Sequence, residues 1–223
     1  MIGFYDYTVF LTYLSAISGT IGIMVSLSGQ GHPYWGTFCL LLSGLCDAFD
    51  GKVARTKLDR TQTHKNYGIQ IDSLADLIAF GVLPGAIGVT MYRQLSIGVE
   101  KIHQTYAVLL FSVVAIYVLA ALIRLAFYNV TEEERQNKED GVRKAYVGLP
   151  VTAASLIFPG VMLIQYLTVA DITPVYLAVM LFTAIAFVSK IRVTKPGLRG
   201  ILILVGIGAL ECAALILFEI FRP

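Results

Sequence analysis

The chain has 223 residues, 57% of them hydrophobic and 14% charged, with a mean hydropathy of +0.73. Soluble domains carry about 25% charged residues, so this composition excludes a water-facing globule and points to a polytopic membrane protein. The formal net charge of +2 says little by itself and gives no reason to expect a nucleic-acid partner; the placement of charge along the connections says more.

A helical span needs about 20 mostly apolar residues. Seven segments meet that description, roughly 8–28, 34–56, 68–92, 104–129, 148–168, 172–190 and 199–220. The opening MIGFYDYTVF lacks the basic stretch and small-residue cleavage site of a secretory signal, so the first segment is expected to stay as a transmembrane helix. Short connections near Gly31 and Asp171 imply tight hairpins, and the longer ones are 57–67, 93–103, 130–147 and 191–198. There is no internal repeat and no soluble domain. The expected fold is an all-α membrane helix bundle, with residues 1–223 as a single transmembrane catalytic domain. Cys39, Cys46 and Cys212 sit in apolar runs, fit no zinc spacing and are read as packing residues.

Lysine and arginine set the orientation. Alternate connections hold Lys57, Arg60 and Lys65, then Arg135, Lys138, Arg143 and Lys144, then Lys190, Arg192, Lys195 and Arg199. The other side has only Arg93, Lys101 and Arg222. The basic side should be cytoplasmic, which places the amino terminus inside.

Four aspartates carry the chemistry: Asp47 and Asp50 in CDAFDGKVAR, and Asp72 and Asp76 in GIQIDSLADLIAFG. Spacings of three and four put each pair on one helical face. The second segment descends to end near Arg55, and the third starts near Gly68 and climbs away, which places Asp72 and Asp76 about 6 and 12 Å into it. The two pairs lie at similar depth in antiparallel neighbours, so all four carboxylates can converge just below the cytoplasmic surface. Carboxylates are costly in a membrane and clustered ones repel; divalent cations with oxygen ligands are the economical remedy. Gly51 and Ala54 keep one wall small, Gly68 opens the third helix, and Arg55 offers a planar fork for phosphate oxygens. Two divalent ions suit phosphoryl transfer, and Asp76, the deepest carboxylate, is the candidate base for an attacking hydroxyl.

The stretch Asp47-Ala-Phe-Asp50-Gly51-Lys-Val-Ala54-Arg55 … Gly68-Ile-Gln-Ile-Asp72-Ser-Leu-Ala-Asp76 resembles the signature of the CDP-alcohol phosphotransferase family. One departure is the longer interval between Arg55 and Gly68, which falls in the polar run KLDRTQTHKNY and is read as a longer cytoplasmic loop. The resemblance implies a six-helix core, here with one further transmembrane helix, that cleaves a CDP-linked pyrophosphate, transfers the phosphate-bearing group to an alcohol and releases CMP. It implies that Asp47, Asp50, Asp72 and Asp76 hold Mg²⁺ or Mn²⁺, two ions in all, with Asp76 also the base. It further implies that Gly51, Ala54, Arg55 and Gly68 contact the nucleotide and its phosphates, and that the protein is a homodimer.

Within the family, IDSLADLIAFGVLPG, RLAFYNV (124–130) and YVGLPVTAA (146–154) resemble the branch that makes phosphatidylserine. The implied reaction takes CDP-diacylglycerol and L-serine to phosphatidylserine and CMP. Serine brings a carboxylate as well as a hydroxyl, so its pocket needs a cation. Arg124 is the first candidate, Lys144 a weaker one on a charged loop, and Asn129 a contact for the amino or carboxylate group. Thr12 and Ser15, on the first segment, are candidate nucleotide contacts; small residues at a helix–helix interface explain them equally well. The alternatives are a sister transferase using glycerol 3-phosphate or inositol phosphate and, from another class, a cation transporter or a membrane scaffold. A denser basic pocket would suit the phosphate-bearing acceptors, and a midplane site would suit a transporter. A prokaryotic cytoplasmic membrane, with the site on the cytoplasmic side among membrane lipids, is the expected location.

Overall fold

The structure, a computed structural model, describes residues 2–28, 33–57, 59–95, 103–136, 145–168, 171–194 and 196–221. In chain order the helices are α1 (Phe10–Leu27), α2 (Pro33–Ala54), α3 (Gln62–Asp76), a π-helical stretch (Leu77–Val82), α4 (Leu83–Leu95), α5 (His103–Gln136), a 3₁₀ turn (Val151–Ala153), α6 (Ala154–Leu167), α7 (Thr173–Val188) and α8 (Leu198–Phe221). α3, the π stretch and α4 run on as one rod, so each of the seven expected segments appears as a helix. Among the described residues, four rods are both long and apolar enough to cross a membrane: Phe10–Leu27, Gln62–Arg93, Tyr106–Glu134 and Leu198–Phe218. α2 has 22 residues, but Asp47, Asp50 and Lys52 lower the apolarity of its second half. α6 and α7, of 14 and 16 residues, are apolar but shorter than the rest. The chain is an integral membrane helix bundle.

Three boundaries differ from the sequence expectation. The third helix starts at Gln62, not Gly68: Thr61 caps it by accepting from the His64 N–H at 3.2 Å, so half of the polar run read as loop is helix. Gly68 therefore lies well inside the helix, and Asp72 and Asp76 sit about 15 and 21 Å from its start. α5 likewise continues to Gln136, beyond the expected end at 129. Two three-residue strands, β1 (Ala145–Val147) and β2 (Arg192–Thr194), pair antiparallel between connections read as irregular, with Tyr146 opposite Val193. Gly148 takes φ +80° just after β1 and donates to the Ile191 carbonyl at 2.8 Å; a side chain there would also meet the Phe187 carbonyl.

The π stretch has a legible cause. Pro84 has no N–H for the Phe80 carbonyl four residues back. The Tyr117 hydroxyl on α5 supplies the missing donor at 2.7 Å, and Tyr176 on α7 donates to the Pro84 carbonyl at 2.8 Å. Both tyrosines are fully buried and belong to the aromatic core: Tyr117 meets Phe158 edge-on at 5.6 Å and Phe187 at 5.4 Å, and Phe158 meets Tyr176 at 5.0 Å. On the other side α1 lies close, because a Cβ at Gly19 would stand 2.9 Å from the Ala79 Cα. The rod that carries Asp72 and Asp76 is thus gripped by α1, α5 and α7. α8 is different: only 6% of its span is fully buried, and one side of it packs on α6 and α2, where a Cβ at Gly208 would meet Leu156 and Leu41.

Candidate active site

α2 and α3 run antiparallel through the short connection 55–61, and their carboxylates meet as the helical spacing requires. One oxygen each from Asp47, Asp50 and Asp72 lies within 4.8 Å of the others. Among the described residues, neither recorded ion pair involves these three carboxylates. Three converging hard oxygen donors suit a divalent metal ion. Asp50 is oriented by the Thr12 hydroxyl of α1, which donates to it at 3.1 Å. Asp76 is buried one turn deeper, outside that triad but within the electrostatic reach of Asp50 and Arg124.

Beside the triad a cavity of about 480 Å³ opens. Its walls include Asp50 and Asp72 with Thr12, Gly51, Ala54, Arg55 and Gly68. Five of the six residues singled out for nucleotide contact therefore share one cavity with two of the metal candidates. A Cβ at Gly51 would meet nothing nearer than Arg55 Nη2 at 3.9 Å, so this glycine leaves the wall open to a ligand. Ser15 is the exception. Its hydroxyl turns to the Ser43 carbonyl at 3.5 Å, and Ser43 returns a bond to the Ser15 carbonyl at 3.1 Å. Ser15 cements α1 to α2 and does not line the cavity.

Arg124 is buried on α5, its guanidinium 5.0 Å from the centre of the Tyr128 ring, and its charge reaches Asp47 and Asp76. It does not line the cavity that holds Arg55. Asn129 exchanges hydrogen bonds with Ser73, between the two α3 aspartates, at 2.9 and 3.2 Å. Lys144 lies outside the described residues.

Sequence reasoning missed the cations and the clasp at the cavity mouth. Thr8, Lys57, Arg60 and Lys65 also line it. Lys57 Nζ donates to Asp6 at 2.8 Å, His64 Nε2 lies 3.2 Å from the same carboxylate, and Thr8 donates to it from both N–H and hydroxyl. Partial burial opposes ionisation of Asp6, but donation from Lys57 and Thr8 outweighs it and holds this carboxyl well below the usual range. Phe4 stacks on the buried His64 ring at 4.2 Å, and Tyr13 donates to the Phe4 carbonyl at 2.7 Å. The only local signal was a lone acid and aromatics ahead of the first apolar run; Lys57 and His64 are more than fifty residues away.

Comparison with known proteins accords with this geometry. Residues 8–189 match the CDP-alcohol phosphatidyltransferase family. A CDP-diacylglycerol–serine O-phosphatidyltransferase of Saccharomyces cerevisiae is 34% identical over 148 residues, covering 64% of this chain and 48% of that protein. One of the same name from Helicobacter pylori strain 26695 is 30% identical over 149 residues, covering 66% and 54%. An archaetidylserine synthase of Methanothermobacter thermautotrophicus is 30% identical over 149 residues, covering 66% and 53%. The aligned region spans about half the length of these relatives. The family match covers most of the chain and contains all four aspartates, so the protein belongs to the CDP-alcohol phosphatidyltransferase family.

Proposed function

We propose that this chain transfers a phosphatidyl group from CDP-diacylglycerol to the hydroxyl of L-serine, giving phosphatidylserine and CMP. The observation that carries the proposal is the convergence of Asp47, Asp50 and Asp72 beside a cavity walled by Gly51, Ala54, Arg55 and Gly68. The names of the relatives support the choice of serine.

Mg²⁺ or Mn²⁺, held by Asp47, Asp50 and Asp72 with Asp76 contributing to a second ion, would supply charge neutralisation of the phosphate oxygens. Arg55 and the open backbone at Gly51 bind and orient the pyrophosphate. Asp76 accepts the proton of the serine hydroxyl as that oxygen bonds to the phosphorus bearing diacylglycerol. The pyrophosphate P–O bond breaks, and its electron pair leaves on CMP. Arg124 receives the serine carboxylate from the α5 side, away from the nucleotide, with Asn129 beside it. The separation of Arg55 and Arg124 supports two compartments, one for each substrate. The site faces the cytoplasm, with the amino terminus on the same side. The proposed assembly is a homodimer.

The test is a headgroup competition with purified protein, CDP-diacylglycerol and labelled L-serine, glycerol 3-phosphate or inositol phosphate. CMP release is expected with serine alone. Equal or greater release with a phosphate-bearing acceptor would sink the serine assignment. Asp76→Asn should cut turnover about 10²- to 10⁴-fold, the usual worth of a general base, while leaving CDP-diacylglycerol binding in place. Near-normal turnover in that variant would remove Asp76 from the proton's path.

A further inference from the structure

We propose that Arg60 is a second phosphate-binding guanidinium of the cavity, supplied by the connection between α2 and α3 rather than by the aspartate motif. The proposal rests on the nucleotide reading above and adds a residue to it. Arg60 Nη1 donates to the Ala54 carbonyl and Nη2 to the His64 carbonyl, both at 3.3 Å. These two bonds stretch the side chain from the end of α2 to the first turn of α3. The guanidinium rests on the bare face of Gly68, where a Cβ would stand 2.6 Å from Nη2. The glycine thus makes room for this arginine as well as for a ligand.

The charge balance separates Arg60 from its neighbour. Lys57 also lines the cavity, but its charge is met by Asp6. Arg60 bonds only neutral carbonyls, its Nε has no partner, and among the described residues no carboxylate pairs with it. A guanidinium fixed by two neutral acceptors in the wall of a ligand-sized cavity keeps its positive charge and donor capacity for an anion. Arg55 lines the same cavity. Two guanidinium groups facing one space suit two linked phosphates better than one, so Arg60 should favour a nucleoside diphosphate over a monophosphate.

The experiment measures binding of CDP and of CMP to the purified full chain with Mg²⁺ present, in wild type and in Arg60→Gln. The substitution should weaken CDP by about tenfold or more and CMP by less than about threefold, as expected for loss of a hydrogen bond to a charged group. Equal losses for both nucleotides would make Arg60 a brace between helices and overturn the proposal, as would unchanged binding. If Arg60→Gln does not fold, Arg60→Lys keeps the charge without the fork; it should lower the CDP-to-CMP affinity ratio at least about threefold, and a wild-type ratio would overturn the assignment. Wild-type protein that binds neither nucleotide would instead overturn the nucleotide reading of the cavity.

Discussion

Asp6 stands before the first helix, yet it gathers Lys57, His64 and Thr8 from three parts of the chain. Its lowered pKa fixes the sign of a stability effect. A carboxyl held below its ordinary value in the folded state stabilises the fold above that value and loses the contribution as pH falls through the folded one. Lys57 is pushed the opposite way by its bond to Asp6, so the pair stabilises up to the ordinary lysine range and fades above it. Thermal unfolding of Asp6→Asn in detergent should therefore show a deficit against wild type near neutral pH that shrinks below about pH 4. A deficit that is flat with pH would mean that the carboxylate's charge plays no part. The aspartate pairs and Arg55 were legible at this scale because helical spacing alone puts them on shared faces. The clasp was not, because neither Asp6 nor His64 carries a local pattern, and Ser15 was ambiguous because a hydroxyl on a helix can serve a ligand or a neighbouring carbonyl equally well.

The π stretch after Asp76 shows what an element can hide. Leu77–Val82 reads as ordinary apolar helix, and only Pro84 hints that one carbonyl will need a donor from elsewhere. Tyr117→Phe removes that donor and strands the buried Phe80 carbonyl. The cost should be about 1 to 3 kcal/mol, the desolvation penalty of an unsatisfied buried group, read as a lower unfolding temperature. Turnover should fall as well, because the Tyr117 bond holds the rod directly above Asp76. A stability equal to wild type would show that another group satisfies Phe80. Long apolar helices were legible because length and apolarity are summed over many residues. The β1–β2 pair was not: three-residue strands leave little periodicity, and their partners are 45 to 49 positions apart.

At the scale of the whole molecule, charge placement and pairing tell one story. β1 follows α5 and β2 follows α7, so their ladder requires both connections to lie at the same end of the bundle, as the alternation of lysine and arginine predicted. The Asn129–Ser73 bonds bring the end of α5 that precedes β1 alongside the acidic cluster. The acidic and basic groups thus share one end of the molecule, which is why the acidic cluster was readable before any contact was known. Stripping divalent ions with a chelator should abolish turnover and also lower the unfolding temperature, since three converging carboxylates would be left to repel. Added Mg²⁺ or Mn²⁺ should restore both, with a rise that grows with ion concentration as for any ligand of the native state. An unfolding temperature indifferent to chelator and ion would argue that the cluster holds no metal.

The same rod tolerates length changes very unequally. One residue can be lost from Leu77–Val82, because the wide turn holds one residue more than an α turn and closing it leaves the turns on either side facing as before. Loss of one residue between Asp72 and Asp76, in regular α-helix, would instead swivel everything beneath by about 100° relative to everything above. Tyr117 and Gly19 would still clamp the upper half, so the swing would fall on Asp72 and carry it off the face it shares with Asp76.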